Sequence, residues 1–130
     1  MPNNSTKEAI QPLAPGESKS VLGRVGRVDI RRWFEGEVDF RLFVGTGASQ
    51  IYFVSDQINL SELSKALVNR KDGETKSFTS GRAKADVTPM GEMLCVRAYD
   101  SKMRGSEQTV MLEFDQADEI MIRLGLKTQS

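Results

Sequence analysis

Gly26-Arg27-Val28-Asp29-Ile30, continued by Gly36-Glu37, Phe40-Arg41-Leu42-Phe43 and a passage from Gln50 to Asp56-Gln57, reads twice in this chain. The second version is Gly81-Arg82-Ala83-Lys84-Ala85-Asp86-Val87, then Gly91-Glu92, Val96-Arg97-Ala98-Tyr99 and a passage from Gln108 to Asp115-Gln116. Matching residues lie 55 positions apart at Gly26 and Gly81 and 59 apart at Asp56 and Asp115. Short insertions in turns produce that drift between two copies of one supersecondary unit. Each copy predicts antiparallel strands followed by one helix, and half a chain is too short to bury a stable core alone, so the copies are expected to share one.

Outward from that stretch, the strand pattern begins at Ser20 with Val21, Val25, Val28, Ile30, Trp33 and Phe34. Val21 and Val25 share one parity while Val28 and Ile30 share the other, so the inward face switches near Gly26 and predicts a bulge or bend there. After a Glu35-Gly36 turn, Val38, Phe40, Leu42 and Val44 alternate with Glu37, Asp39, Arg41 and Phe43, a period of two. Gly45-Thr46-Gly47 turns the chain into Gln50 to Ser55, an apolar run that can be buried on both sides. Asn59 with Glu62 has the chemistry of a capping box, and Leu60, Leu63, Ala66 and Leu67 share one helical face.

The second copy repeats the plan. Ala83, Ala85 and Val87 form one strand face; Leu94, Val96 and Ala98 alternate with Met93, Cys95, Arg97 and Tyr99; and Val110, Leu112 and Phe114 share one side of a further strand. Asp115 is the expected N-cap of a closing helix whose apolar face is Ile120, Met121 and Leu124. The expected organisation is a flexible arm over 1–18, one duplicated domain over 19–127 with repeats 19–71 and 75–127, and a polar tail over 128–130. The fold class is α+β, with two repeated antiparallel sheet-plus-helix units packed as an intramolecular pseudo-dimer.

Composition narrows the function. The chain has no histidine and a single cysteine, Cys95, which removes His-based acid–base and triad chemistry, the common zinc sites and any internal disulfide. No catalytic residue, metal site or cofactor is expected, and the protein reads as non-enzymatic. No apolar run is long enough to span a bilayer, and no secretory or transit signal precedes the domain, so the expected location is cytoplasmic or nucleoid-associated, with no membrane partner. Formal net charge is zero, so a nucleic-acid partner requires a local basic face.

Parity supplies one. With Phe40, Leu42 and Val44 inward, Arg41 and Phe43 face out; the same logic exposes Arg97 and Tyr99, and an Arg-x-aromatic pair recurs in both halves. Arg27, Arg31 and Trp33 join the first set, Arg82 and Lys84 the second. Rings interleaved with cations on an open sheet suit single-stranded DNA or RNA, whose bases stack at roughly 1–3 kcal/mol each while cations neutralise phosphates. The alternative for these residues is an ordinary solvated face, with the rings covered by a helix or a second subunit. Asp29 and Asp86 are expected to pair with nearby arginines, and Cys95 to act as a small, half-buried hydrophobe.

The duplicated sheet-then-helix plan with basic and aromatic side chains over residues 19–127 resembles the Whirly and PUR group of single-stranded nucleic-acid-binding proteins. The resemblance implies two units packed as a pseudo-dimer, helices clamping the sheets and an exposed sheet surface that binds strands. Four strands per unit are implied where three are clear, which requires Lys19 to Phe34 to break at the Gly23 to Gly26 bend and Thr75 to Thr88 to break near Gly81. A competing reading is a protein-interaction module, a small regulator or inhibitor of another protein, favoured by the neutral total and the Asp115, Asp118 and Glu119 cluster. Small sheets with open edges also predict a homo-oligomer.

Overall fold

The structure, a computed structural model, describes residues 10–32, 40–46, 49–54 and 60–126. Trp33, the Glu35-Gly36 turn, Gly47, Asn59 and its cap, residues 1–9 of the expected arm and the 128–130 tail lie outside the described residues.

The element order is β1 (Ser18–Leu22), β2 (Arg27–Arg32), β3 (Phe40–Gly45), β4 (Gln50–Val54) and α1 (Leu60–Val68), then β5 (Lys76–Ser80), β6 (Ala83–Met90), β7 (Met93–Asp100), β8 (Gln108–Glu113) and α2 (Phe114–Arg123). The fold is α+β: two four-stranded antiparallel sheets, ordered β1-β2-β3-β4 and β5-β6-β7-β8, each followed by a helix. Lys19 to Phe34 and Thr75 to Thr88 therefore each hold a break. It falls at Gly23 to Gly26 in the first and at Gly81-Arg82 in the second.

Alternation makes each sheet two-faced. Val28, Ile30, Phe40, Leu42, Val44, Ile51 and Phe53 are buried from the first sheet, and Ala85, Val87, Leu94, Val96, Val110 and Leu112 from the second. These residues, with Leu63, Ala66 and Leu67 of α1 and Ile120 and Met121 of α2, form one contiguous core. The rings of Phe53 and Phe78 meet across the two units at 5.2 Å. Gln50 to Val54 departs from the expected two-sided burial: Ile51 and Phe53 are inward, but Tyr52 is exposed, because only one face of the sheet is covered.

The helix ends tie the units further. Arg70, just beyond α1, pairs with Asp118 of α2 at 3.0 Å and lies 4.2 Å over the ring of Phe114. The α2 cap is Glu113 rather than Asp115: the backbone N–H of Glu113 donates to the Gln116 side chain at 2.7 Å, and Asp115 sits in the first turn, where its charge suits the helix dipole. Part of the expected flexible arm is docked. Leu13 is buried, its N–H donates to the Arg123 carbonyl at 3.0 Å, and Arg32 donates to its carbonyl at 2.6 Å.

The links inside the first hairpin of each unit differ in length, with consequences for shape. Gly23, Arg24, Val25 and Gly26 join β1 to β2, whereas Gly81 and Arg82 alone join β5 to β6. The longer link lies along β8: Arg24 N–H donates to the Met111 carbonyl at 2.7 Å and Met111 N–H donates to the Val25 carbonyl at 2.9 Å. A Cβ on Gly23 would collide with the Met111 carbonyl oxygen. Gly26, at φ +71°, would set a Cβ 2.8 Å from the Gly45 carbonyl oxygen, so both positions need glycine.

Candidate nucleic-acid interface

Because Val28 and Ile30 point into the core, Arg27, Asp29 and Arg31 point away from it, and Arg41 and Phe43 do the same on β3. The register aligns them into rows. Ser20, Asp29, Phe43 and Tyr52 stand opposite one another across all four strands of the first sheet. The Phe43 and Tyr52 rings are 5.0 Å apart, and the Arg31 guanidinium lies 5.5 Å from the centre of Phe43. Tyr52 is 42% exposed, so the end of this ladder is open to a flat partner. Arg31 and Arg41 stand opposite each other across β2 and β3, which puts two guanidinium side chains on one face.

In the second sheet the corresponding row is Ser77, Asp86, Arg97 and Thr109. Here the Arg-x-aromatic repeat is out of step. Phe43 stands opposite Asp29, but the residue opposite Asp86 is Arg97, and Tyr99 stands opposite Lys84, where the first sheet has Gly45 opposite Arg27. A slip of two residues preserves parity, so Arg97 and Tyr99 still avoid the core, with the Arg97 guanidinium 5.5 Å from the Tyr99 ring. The second face nevertheless carries one ring where the first carries an adjacent pair. Arg82 is off the strand face altogether, in the turn between β5 and β6.

What does recur in register is an anionic centre. Ser20 Oγ donates to Asp29 at 2.6 Å and Ser77 Oγ donates to Asp86 at 2.6 Å, each across the first hairpin of its unit. Arg27 pairs with Asp29 at 3.2 Å, as Lys84 does more loosely with Asp86 at 3.9 Å. Gln50 Nε2 also donates to Asp29 at 2.8 Å. Desolvation pushes the Asp29 carboxyl up, but the bonds from Gln50 and Ser20 and the charge and bond of Arg27 outweigh it and hold the group below its ordinary value.

Many of the cations are thus already engaged: Arg82 with Asp100 at 2.9 Å and Arg97 with Glu107 at 3.1 Å add to those above. All four remain partly exposed, where ion pairs are weak and a phosphate can compete for the donors. Ser18, Lys19, Ser20, Asp29, Arg31, Phe43 and Gln50 line an open hollow of about 280 Å³ over the first sheet. Among the described residues no cluster of acids and cysteine is arranged to hold a metal ion.

Of the residues chosen from sequence, Arg27, Arg31, Arg41 and Phe43 gather on the first sheet and Lys84, Arg97 and Tyr99 on the second. Trp33 lies outside the described residues, and Arg82 belongs to a turn. Tyr52 and Gln50 join the face only in the structure, although their alternation with Ile51 and Phe53 is a usable sequence signal for a strand covered on one side. No protein-family model, curated protein or solved structure matches the chain.

Proposed function

We propose that this protein binds single-stranded DNA or RNA without catalysing a reaction, using the outer face of its first sheet as the main stacking platform. One observation carries the reading: Arg31, Phe43 and the exposed Tyr52 form a continuous cation–ring–ring ladder on a face turned away from the core. Bases stack on such rings without regard to sequence, and Arg27, Arg31 and Arg41 supply phosphate contacts in competition with their partners within the protein. Lys84, Arg97 and Tyr99 form a second, weaker patch.

Under the same proposal the two units are copies of one, packed as a pseudo-dimer of the Whirly or PUR kind. The identical strand order, the helix that closes each sheet and the recurring Ser–Asp bond, nine residues apart in both units, support it.

The test is titration of a labelled single strand into the intact protein at low and moderate salt. Affinity is expected to fall with salt at a slope of roughly −0.7 per phosphate neutralised. Phe43→Leu or Tyr52→Leu, which leave charge unchanged, is expected to weaken binding by about 1–3 kcal/mol per lost stack, and Tyr99→Leu by less. A folded protein that binds no strand at low salt refutes the proposal.

A further inference from the structure

The unequal hairpin links leave the two sheet edges in different states. The edge of β8 is closed at its middle by Arg24 and Val25, whereas the two-residue turn at Gly81-Arg82 is too short to lie along β4 in the same way. Among the described residues β4 pairs only with β3, and no backbone hydrogen bond from another element reaches its other edge. Instead a groove of about 940 Å³ runs between that edge and the second unit. Ser49, Gln50, Ile51 and Tyr52 line it consecutively, which places the strand's main-chain edge, and not one set of alternate side chains, in its wall.

The opposite wall is basic. Arg82 engages Asp100 through Nε and has its guanidinium otherwise exposed; Arg104, on the loop after β7, has no carboxylate partner among the described residues. Gln50 and Gln108 place amide groups along the groove, and Gln108 accepts from the Thr46 hydroxyl at 3.0 Å. Gln50 lines both this groove and the hollow over the first sheet, and Tyr52 joins the groove to the Phe43 ladder. The stacking face therefore continues around the edge of β4 without interruption.

We propose that this groove is a second nucleotide site through which one bound strand leaves the first sheet and passes toward the second unit, its phosphates on Arg82 and Arg104 and its bases beside Tyr52 and the β4 edge. Two guanidiniums facing a single carboxylate, next to an exposed ring and paired amides, match a phosphate-linked base. A peptide strand added to β4 would use the edge alone and leave the cations without a role. The inference rests on the single-strand reading and shares Tyr52 with it, but its phosphate contacts, Arg82 and Arg104, are its own, so the two can fail separately.

The experiment is a titration of the whole protein with a labelled oligothymidylate of about twelve nucleotides, a length within reach of both sites. Arg104→Ala, Arg104→Glu and Arg82→Ala are compared with wild type and with Phe43→Leu, each variant's fold being checked by thermal unfolding. Arg104→Ala is expected to weaken binding about threefold to tenfold at about 50 mM salt and to lower the salt slope by about 0.7, with Arg104→Glu weakening it further. Phe43→Leu should weaken binding with the slope intact. If the Arg104 and Arg82 variants bind like wild type while Phe43→Leu is impaired, the groove proposal is overturned and the sheet reading stands. Weakening by the groove variants alone supports the groove and corrects the sheet reading, and absence of binding by wild type overturns both.

Discussion

Asp29 sits at the centre of the stacking face and works against it. Its carboxylate accepts from Ser20, Gln50 and Arg27, which orders the outer surface, yet it also places negative charge beside a proposed phosphate path. Because the folded carboxyl titrates below its ordinary value of 3.8, its stabilising effect is fully present above that value and disappears as pH falls through the depressed one. Asp29→Asn is therefore expected to be less stable than wild type at neutral pH, with the gap closing in acid; urea unfolding across pH measures it. The same variant is expected to bind single strands more tightly at neutral pH, since an anion leaves the face. Equal stability of the two proteins at every pH would contradict the role given to this carboxylate.

Elements of equal design are made unequal here by their connections. The Gly23–Gly26 link reaches β8 because two of its residues can pass where no Cβ fits, and this pins one sheet to the other's edge. Gly26→Ala combines a positive φ with contacts at 2.8 and 2.9 Å to the Gly45 carbonyl and the Val110 side chain. Gly91→Ala meets the same backbone demand at φ +66° but nothing within 4 Å. Chemical denaturation should find Gly91→Ala destabilised by about 1 kcal/mol and Gly26→Ala by about 2–4 kcal/mol, the excess reporting the link's close approach to its neighbours. A Gly26→Ala effect no larger than that of Gly91→Ala would show that the crowding is relieved cheaply.

The molecule as a whole has one interior. Phe53 from the first unit and Phe78 at the start of the second touch within a core to which both sheets and both helices contribute. Truncating Phe53 to alanine is expected to cost about 3–5 kcal/mol, because the space left between two sheets and a helix cannot collapse readily. The loss should lower a single unfolding transition seen alike by far-UV and near-UV circular dichroism, because the halves share their buried surface. Two separate transitions would mean that the units hold independent cores. No helix among the described residues is long and apolar enough to cross a membrane.

The period-two alternation around Leu42 and Val96 and the parity change at Gly26 made the strands, the α+β class and the outward direction of Arg41, Phe43, Arg97 and Tyr99 legible from the chain alone. Both signals are local, set by the pleat, and need no knowledge of neighbouring strands. Register is not local. Whether Tyr99 or Arg97 stands opposite Asp86 depends on hydrogen bonding between strands, and the repeated Arg-x-aromatic pattern concealed a slip of two residues that parity cannot detect. Edge position was equally hidden: Tyr52 is a surface ring because only one face of its sheet is covered, but its strand became the wall of a groove because the Gly81-Arg82 turn stops short of it in space. Composition and alternation decided which side of each strand is wet; tertiary packing decided which wet residues meet, because meeting depends on distances between segments that sequence spacing does not encode.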